Sequence, residues 1–402
     1  MQIRSTTAAD LGVFVDTVHT AFGRFPDAPA GADGVFWAAL EMDRNLLAVA
    51  ADGRPVGTAA AYSFELTLPG EVIVPATGVT NVGVLPSHRR QGVLTAMMRR
   101  QLAEVRARGE FLSVLLAAEG AIYGRFGYGP ATYTRRLTVQ RHQSAFAPPR
   151  AHDTAPTGSV EVLHREQCGE ILEQVYDRYR RTQPGALSRP HRWWARRAGQ
   201  PPISPAARYV AVHRDAGGSA DGYASYALAD GTLTVDETVA TTDTAFTALA
   251  RLTLDHDLVT QVVFRHFPPE HPLRWQFADI NAGQISHDID WLWVRLLDVP
   301  NALTARGWCT DGELVLDVGD PFLGEHGRYL LTVRDGKAEC VATDREPDLS
   351  LDVRDLGSIY LGGTAPSALV RAGHVRARHS GAVTLADALF RAERAPHCLH
   401  WF

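Results

Sequence analysis

At 402 residues the chain is too long for a single hydrophobic core, and two or three domains are expected. A hydrophobic content of 45% and a charged content of 21% are those of an ordinary soluble protein. The net charge of −5 argues against a general nucleic-acid binder and mildly favours a cationic substrate. No apolar run reaches the roughly 18 residues of a membrane helix. The opening Met-Gln-Ile-Arg-Ser-Thr-Thr lacks the apolar stretch of a signal peptide, so a cytoplasmic protein without a membrane partner is expected. Cys168, Cys309, Cys340 and Cys398 are scattered and show no metal-ligand spacing, which fits a reducing compartment and predicts no metal site.

In chain order, Thr7 caps a helix, with Asp10 three residues on, and Leu11, Phe14, Val15, Val18 and Phe22 give that helix one apolar face. A loop punctuated by Pro26, Pro29 and Gly31 leads to a short helix carrying Phe36, Trp37 and Leu40. Strands are predicted at 46–51 and 56–68, and two more within 71–84. Pro86 ends the last of these, because proline cannot donate to a ladder. Ser87 to Gln91 form a polar, basic turn, and Gly92 opens a helix whose Leu94, Met97, Met98, Leu102 and Val105 recur at helical spacing up to Gly109. A basic turn feeding a helix N-terminus is an anion site, since free N–H groups and the helix dipole both point outward there. Neither the dinucleotide fingerprint nor the nucleotide-triphosphate loop is present. A buried strand follows at 111–117, then the glycine-rich run Glu119 to Pro130 around a short helix, and a last strand at 132–140.

Residues 144–159, with Pro148, Pro149 and Pro156, read as a linker. The next stretch repeats the order: a strand at 160–163, helices at 166–181 and 191–197, strands at 209–213, 222–228 and 233–239, a helix at 243–255 and a strand at 258–267. No basic, glycine-containing turn precedes its main helix, so this second copy is read as structural. The apolar run Trp291 to Leu297 is a strand that closes either this region or the first domain. Beyond Val299, predicted strands at 313–318, 328–334 and 338–342 precede helices around 353–361, 367–372 and 385–392, the order of an α+β domain.

Arg89-Arg90-Gln91-Gly92-Val93-Leu94 resembles the acyl-CoA signature of the GNAT superfamily, R/Q-x-x-G-x-G/A, with Leu94 where a small residue is usual. Together with the run Glu119-Gly-Ala-Ile-Tyr-Gly-Arg-Phe-Gly-Tyr-Gly-Pro-Ala131 and the aromatic end at Phe402, it resembles the Eis (enhanced intracellular survival) acetyltransferases of actinobacteria over essentially the whole chain. The fold class this implies is α/β and α+β: tandem GNAT domains, the second degenerate, at 1–145 and 146–298, then a sterol-carrier-protein-like α+β domain at 299–402. The implied function is acetyl-CoA-dependent acetylation of amines on aminoglycosides or similar polycations, by direct transfer at several positions, in a homo-hexamer. Acetylation of protein lysines, or a non-catalytic lipid-binding assembly role, are the rival functions.

By that resemblance Tyr123 is the general acid and the carboxylate of Phe402 the general base. Acetyl-CoA falls on Val82, Gly83, Val84, Arg90, Gln91, Gly92, Val93, Leu94 and Thr95, with Ala118 and Glu119. Ala118 departs from the serine common in the family. Asp27, Trp37 and Trp401 would line the acceptor pocket. On the residues alone Tyr123 reads first as a packed aromatic in a glycine-rich turn, with Tyr128 as its competitor, and Phe402 as a frayed terminus. His88, His397 and His400 stand as further bases. The chemistry fits the assignment. An acceptor ammonium must lose a proton and the leaving thiolate must gain one, and a tyrosine, with a reference pKa near 10, suits the second task.

Overall fold

The computed structural model describes residues 1–23, 37, 39–148, 158–195 and 208–402. The chain divides into two compact units. One comprises Met1–Thr132, Trp291–Glu393 and Phe402, and the other Tyr133–Asp290 and Arg394–Trp401.

The first unit is built on a seven-stranded sheet. Its strands are β1 (Gln2–Ser5), β2 (Leu46–Val49), β3 (Pro55–Leu68), β4 (Val72–Val84), β5 (Leu112–Leu116), β6 (Gly129–Pro130) and β14 (Leu292–Leu296), in the order β1-β2-β3-β4-β5-β14-β6. Thr7 and Asp10 form the expected capping box ahead of the helix Leu11–Phe22, which buries Phe14, Thr17, Val18 and Ala21. The helix Val93–Ala107 buries Val93, Met97, Met98, Gln101, Leu102 and Val105 against the sheet, the stripe its spacing predicts. Gly109 ends that region at φ +77°, a conformation glycine adopts without strain. The same unit holds a five-stranded sheet, with order β17-β16-β15-β18-β19, from β15 (Gly312–Asp320), β16 (Glu325–Arg334), β17 (Lys337–Ala342), β18 (Leu349–Asp352) and β19 (Arg376–Ala377). Helices Val353–Tyr360, Pro366–Arg371 and Ser380–Phe390 complete this α+β region.

The second unit has its own seven-stranded sheet, β13-β7-β12-β11-β10-β9-β8. Its strands are β7 (Tyr133–Gln140), β8 (Ser159–His164), β9 (Tyr209–Arg214), β10 (Ala220–Ala229), β11 (Thr232–Ala240), β12 (Gln261–Phe267) and β13 (Gly283–Asp290). Helices Ile171–Thr182 and Asp243–Leu254 pack on it.

Three strand expectations change. The 71–84 segment is one strand rather than two, because a single extra residue at a bulge is absorbed without breaking the pairing to β3. The 132–140 strand, expected to finish the first domain, pairs with β12 and β13 in the second unit. Leu137 and Val139 are buried there with Phe264 and Leu273. The reciprocal strand, β14, inserts between β5 and β6 of the first sheet. Alternation in a strand specifies which side chains are buried, not which neighbour the backbone pairs with. β13 was not foreseen, because its sequence Gly-Gln-Ile-Ser-His-Asp-Ile-Asp is polar and mostly exposed.

Candidate active site

The first sheet opens in its middle. β4 runs beside β3 for its whole length, but pairs with β5 only from Thr77–Ser113 to Val79–Leu115. Past that point the two parallel strands part. Asn81, at φ +48°, puts an extra residue into β4, so that Thr58 faces Gly83 while Ala60 faces Thr80. The Leu85 N–H donates to Val56 O at 2.9 Å. By the alternation of an antiparallel ladder, Gly57–Val84 is then a non-hydrogen-bonded pair, and the Val84 N–H points away from β3, to the side that β5 has left. An outward amide at a strand parting can polarise a carbonyl laid into it. This bulge sits two or three residues before Val84, at Asn81–Val82.

After β4 the chain makes a one-turn helix, Pro86–His88, and enters the basic turn. Arg89 serves the turn itself: its Nε donates to Val84 O at 3.2 Å and its guanidinium to Ala21 O at 2.9 Å. The motif contained this residue, but no spacing rule marked it as the tie that holds the turn to the sheet and to the helix Leu11–Phe22. Gln91 Nε2 closes back onto Ser87 O at 3.2 Å. Arg90, at φ +61°, is exposed and has no partner among the described residues. Gly92, at φ +82°, is the N-cap of the helix Val93–Ala107 and no side chain caps it. Among the described residues, nothing beyond its own chain neighbours lies within 4 Å of where a Cβ on Gly92 would stand. The first-turn N–H groups therefore face open space beside a free arginine, a fit for a pyrophosphate. Val93 is buried and Leu94 half-buried, so these two offer backbone rather than side chain, while Thr95 is exposed. Val82, Val84 and Leu94 pack with Met97 and Val93 beneath the turn. Gly83 faces the other way, toward Ala21. Ala118 and Glu119 follow β5, both exposed, with Glu119 at the N-cap of the single-turn helix Gly120–Tyr123.

Tyr123 and Tyr128 meet edge to face with ring centroids 6.2 Å apart, and their environments differ. Tyr128 is wholly buried, with its hydroxyl 2.7 Å from Ser113 Oγ. Tyr123 is half-buried against a cluster that contains Val79 and Leu115, the last pair of the β4–β5 ladder. Burial, with the Glu119 charge adding to it, pushes its hydroxyl up to about 12. Phe402 is 9% exposed and does not fray. Its ring stands edge to face on Phe64 at 5.0 Å, and a Cβ on Gly78 would come within 3.0 Å of it. Gly78 is the residue before Val79, so the terminal residue lies at the point where β4 and β5 part.

Trp37 is buried with Phe14, Val18, Leu47 and Ala60, its ring edge to face with His19 at 5.5 Å. Asp27 lies outside the described residues. Trp401 is 45% exposed and belongs to the second unit. His397 and His400 are buried in that unit too, and His400 Nδ1 accepts from Arg189 Nε. His88 is half-exposed beside Ser87 Oγ at 2.9 Å. Among the described residues no cluster of His, Cys, Asp and Glu is arranged to hold a metal ion, and no helix is long and apolar enough to cross a membrane.

Comparison with known proteins agrees with this geometry. Residues 2–131 and 185–296 each match an acetyltransferase (GNAT) domain, and residues 299–399 match a sterol carrier protein domain. The N-acetyltransferase Eis of Mycobacterium tuberculosis is 34% identical over 353 residues, 84% of this chain and 83% of that protein. An uncharacterized N-acetyltransferase of Streptomyces griseus is 34% identical over 413 residues, 99% of each chain. The crystal structure of Eis1 from Mycobacterium abscessus superposes with a TM-score of 0.87 at 34% identity, covering all of both chains. A GCN5-related N-acetyltransferase from Anabaena variabilis, at 19% identity and a TM-score of 0.84, shares the fold. The parted strands, the uncapped Gly92 helix and these similarities together make the chain an N-acetyltransferase that takes acetyl-CoA as donor, two GNAT domains followed by a sterol carrier protein domain, and a member of the Eis family.

Proposed function

We propose that this enzyme acetylates amines of aminoglycosides or similar polycationic small molecules by direct transfer, at more than one position, with Tyr123 as general acid and the Phe402 carboxylate as general base. The observation that carries the reading is the convergence on one point of the sheet. The β4–β5 ladder ends at Val79–Leu115, Tyr123 packs against the cluster that contains that pair, and the Phe402 ring lies on Gly78 next to Val79. The resemblance of the Glu119–Ala131 run and of the aromatic C-terminus to the Eis family supplies the roles. The same resemblance supports a cytoplasmic homo-hexamer.

Acetyl-CoA supplies an activated acetyl thioester; Arg90, Gly92 and the first-turn amides of Val93 to Thr95 would hold its pyrophosphate, and Ala118 and Glu119 would complete its binding site. The chain's own groups then do three things. The Val84 amide polarises the thioester carbonyl. The terminal carboxylate takes a proton from the acceptor ammonium, directly or through a water, and its negative charge favours a polycation at the same place. Tyr123 gives its proton to the departing sulfur. Trp37, Asp27 and Trp401 are assigned to the acceptor side.

Appending a few residues after Phe402 turns the carboxylate into a neutral amide. The extended protein should lose about 10²-fold in acetylation rate, with acetyl-CoA affinity and melting temperature unchanged. A mass-spectrometric screen of amine acceptors, aminoglycosides and lysine peptides included, fixes the acceptor class. Full activity in the extended protein rules out the terminal carboxylate, and transfer to lysine peptides alone rules out the acceptor.

A further inference from the structure

The second unit repeats the opened sheet and closes it differently. β11 pairs in parallel with β12 only from Thr232–Gln261 to Val235–Phe264, then runs on to Ala240. Asp236 is an extra residue in β11, with Ser225 facing Glu237 while Tyr226 faces Val235, the same device as Asn81 in β4. Downstream the likeness stops. Two residues, Thr241 and Thr242, separate β11 from its helix Asp243–Leu254, and the Thr242 hydroxyl accepts from the Ala245 N–H at 3.1 Å. This helix N-terminus is capped by its own chain and holds no turn for a phosphate.

What lies against the parted end of this sheet is the chain's own tail. Gln183 Nε2 donates to Ala395 O at 2.9 Å, and the His397 N–H to Pro184 O at 2.8 Å. Leu399 is buried with Val175, Tyr176, Tyr223 and Val239. The His400 ring stands edge to face on Trp193 at 4.7 Å, and its Nδ1 accepts from Arg189 Nε at 3.2 Å. The other guanidinium donors of Arg189 grip both oxygens of Glu237, at 3.1 and 2.8 Å, and the Tyr223 hydroxyl donates to the same carboxylate at 2.7 Å. Glu237 and Val239 sit on β11 beyond its last partner in β12, and His266 sits on β12 beyond its own. Burial pushes His397 down to about 3, and the charges of His266 and His271 act in the same direction.

We infer that the parted strands of the second GNAT-like domain are the seat of the C-terminal tail, and that Arg189, held by Glu237, is a positioning residue for the Phe402 carboxylate. The inference rests on the reading of that carboxylate as the base. A side chain with no solvent exposure, as at Arg189, gripped at two points by Glu237, has one direction left for its Nε–H. That direction is satisfied by His400, two residues before the terminus, a span of at most about 7 Å of chain. Buried ion pairs add little to stability, and their best-attested use is to fix register. Here the register fixed is that of the last three residues, where a displacement of one residue moves the reacting carboxylate out of place. The second domain thus uses a cleft of the acetyl-CoA type for its own tail, and its loss of a phosphate turn follows.

The test is His400→Phe, which keeps a ring on Trp193 and removes the acceptor, with His400→Gln as the conservative variant whose carbonyl can accept from Arg189. Hydrogen exchange of the 394–402 peptide should quicken about tenfold or more in His400→Phe. Its kcat should fall about tenfold to a hundredfold at unchanged acetyl-CoA KM, and His400→Gln should recover most of both. Melting and exchange in β9–β11 report any general unfolding. Unchanged exchange in the tail overturns the seat. Faster exchange with unchanged kcat overturns the positioning role. The protein extended beyond Phe402, measured alongside, shows independently whether the base itself has been misassigned.

Discussion

Tyr123 and Tyr128 lie five residues apart in one glycine-rich run, and sequence spacing alone gives no ground to choose between them. Their surroundings do. The Tyr128 hydroxyl is closed into a buried bond with Ser113, so Tyr128→Phe should cost about 1 kcal/mol of stability by removing that bond, with Ser113 Oγ left its longer bond to Thr77 O at 3.4 Å, and leave kcat alone. Tyr123 is raised to about 12, first by burial and then by the Glu119 charge. A raised phenol keeps its proton through neutral and moderately alkaline pH. It is a weak donor to a thiolate in water, where a thiol titrates near 8.5. The transfer becomes favourable only if the departing sulfur is desolvated as well, which raises the thiol by the same physics. Two results are expected. Tyr123→Phe lowers kcat by about 10²-fold at unchanged acetyl-CoA affinity. The wild-type kcat shows no alkaline fall between about pH 8 and 10, because an acid whose pKa is raised stays competent until the pH passes the raised value. A fall in that window that disappears in Tyr123→Phe would place the titration of Tyr123 lower than its burial implies.

At the scale of elements, the turn from Ser87 to Gly92 is the most instructive. Gly92 needs φ +82° and keeps open the space where a ligand oxygen would approach the first-turn amides. Gly92→Glu fills that space with a negative charge and adds about 1–2 kcal/mol of left-handed backbone strain. Acetyl-CoA binding should vanish in calorimetry while the protein still melts cooperatively; retained affinity would move the pyrophosphate elsewhere. This turn was legible in the sequence because its signals are local. Pro86 stops a strand, Gly92 starts a helix, and Met97, Met98, Leu102 and Val105 fall on one face. The bulge at Asn81 was not legible, since one left-handed residue in a strand leaves no periodicity. The seat of the tail was not legible at all. It joins Gln183, Arg189, Glu237 and His400, and no spacing rule connects residues that far apart. Strand identity was legible and strand partnership was not. Leu137 and Val139 announce a buried face, and a buried face exists in either sheet.

The exchange of β7 and β14 decides how the whole molecule can be divided. A cut at residue 145 appears natural, because residues 144–159 are rich in proline. It leaves the fragment 1–145 with β7, whose partners β12 and β13 are gone, and without β14, which joins β5 to β6. β14 is buried along its length, and so is most of β5, with the sequence Leu-Ser-Val-Leu-Leu. Removing β14 uncovers a long apolar strand edge, the kind that pairs with other chains, and forfeits burial worth about 1.5–3 kcal/mol for each large side chain of β14. The fragment 1–145 should therefore aggregate, or melt without a cooperative transition. A better division follows the sheets. The Trp291 N–H donates to Thr132 O at 2.9 Å, so a short glycine-serine turn can connect residue 132 to residue 291 in place of everything between. The joined protein 1–132 plus 291–393 keeps every strand of the first unit. It should melt as a cooperative unit and bind acetyl-CoA, since Arg90, Gly92, Ala118 and Glu119 are all retained. It should not acetylate amines at a measurable fraction of the full rate, because it lacks Phe402. Circular dichroism melts of the two proteins, followed by calorimetry and an acetylation assay on the joined one, give the answer. Equally cooperative melting of 1–145 would mean that β14 contributes little to the first sheet. Full acetylation by the joined protein would remove the terminal carboxylate from the mechanism.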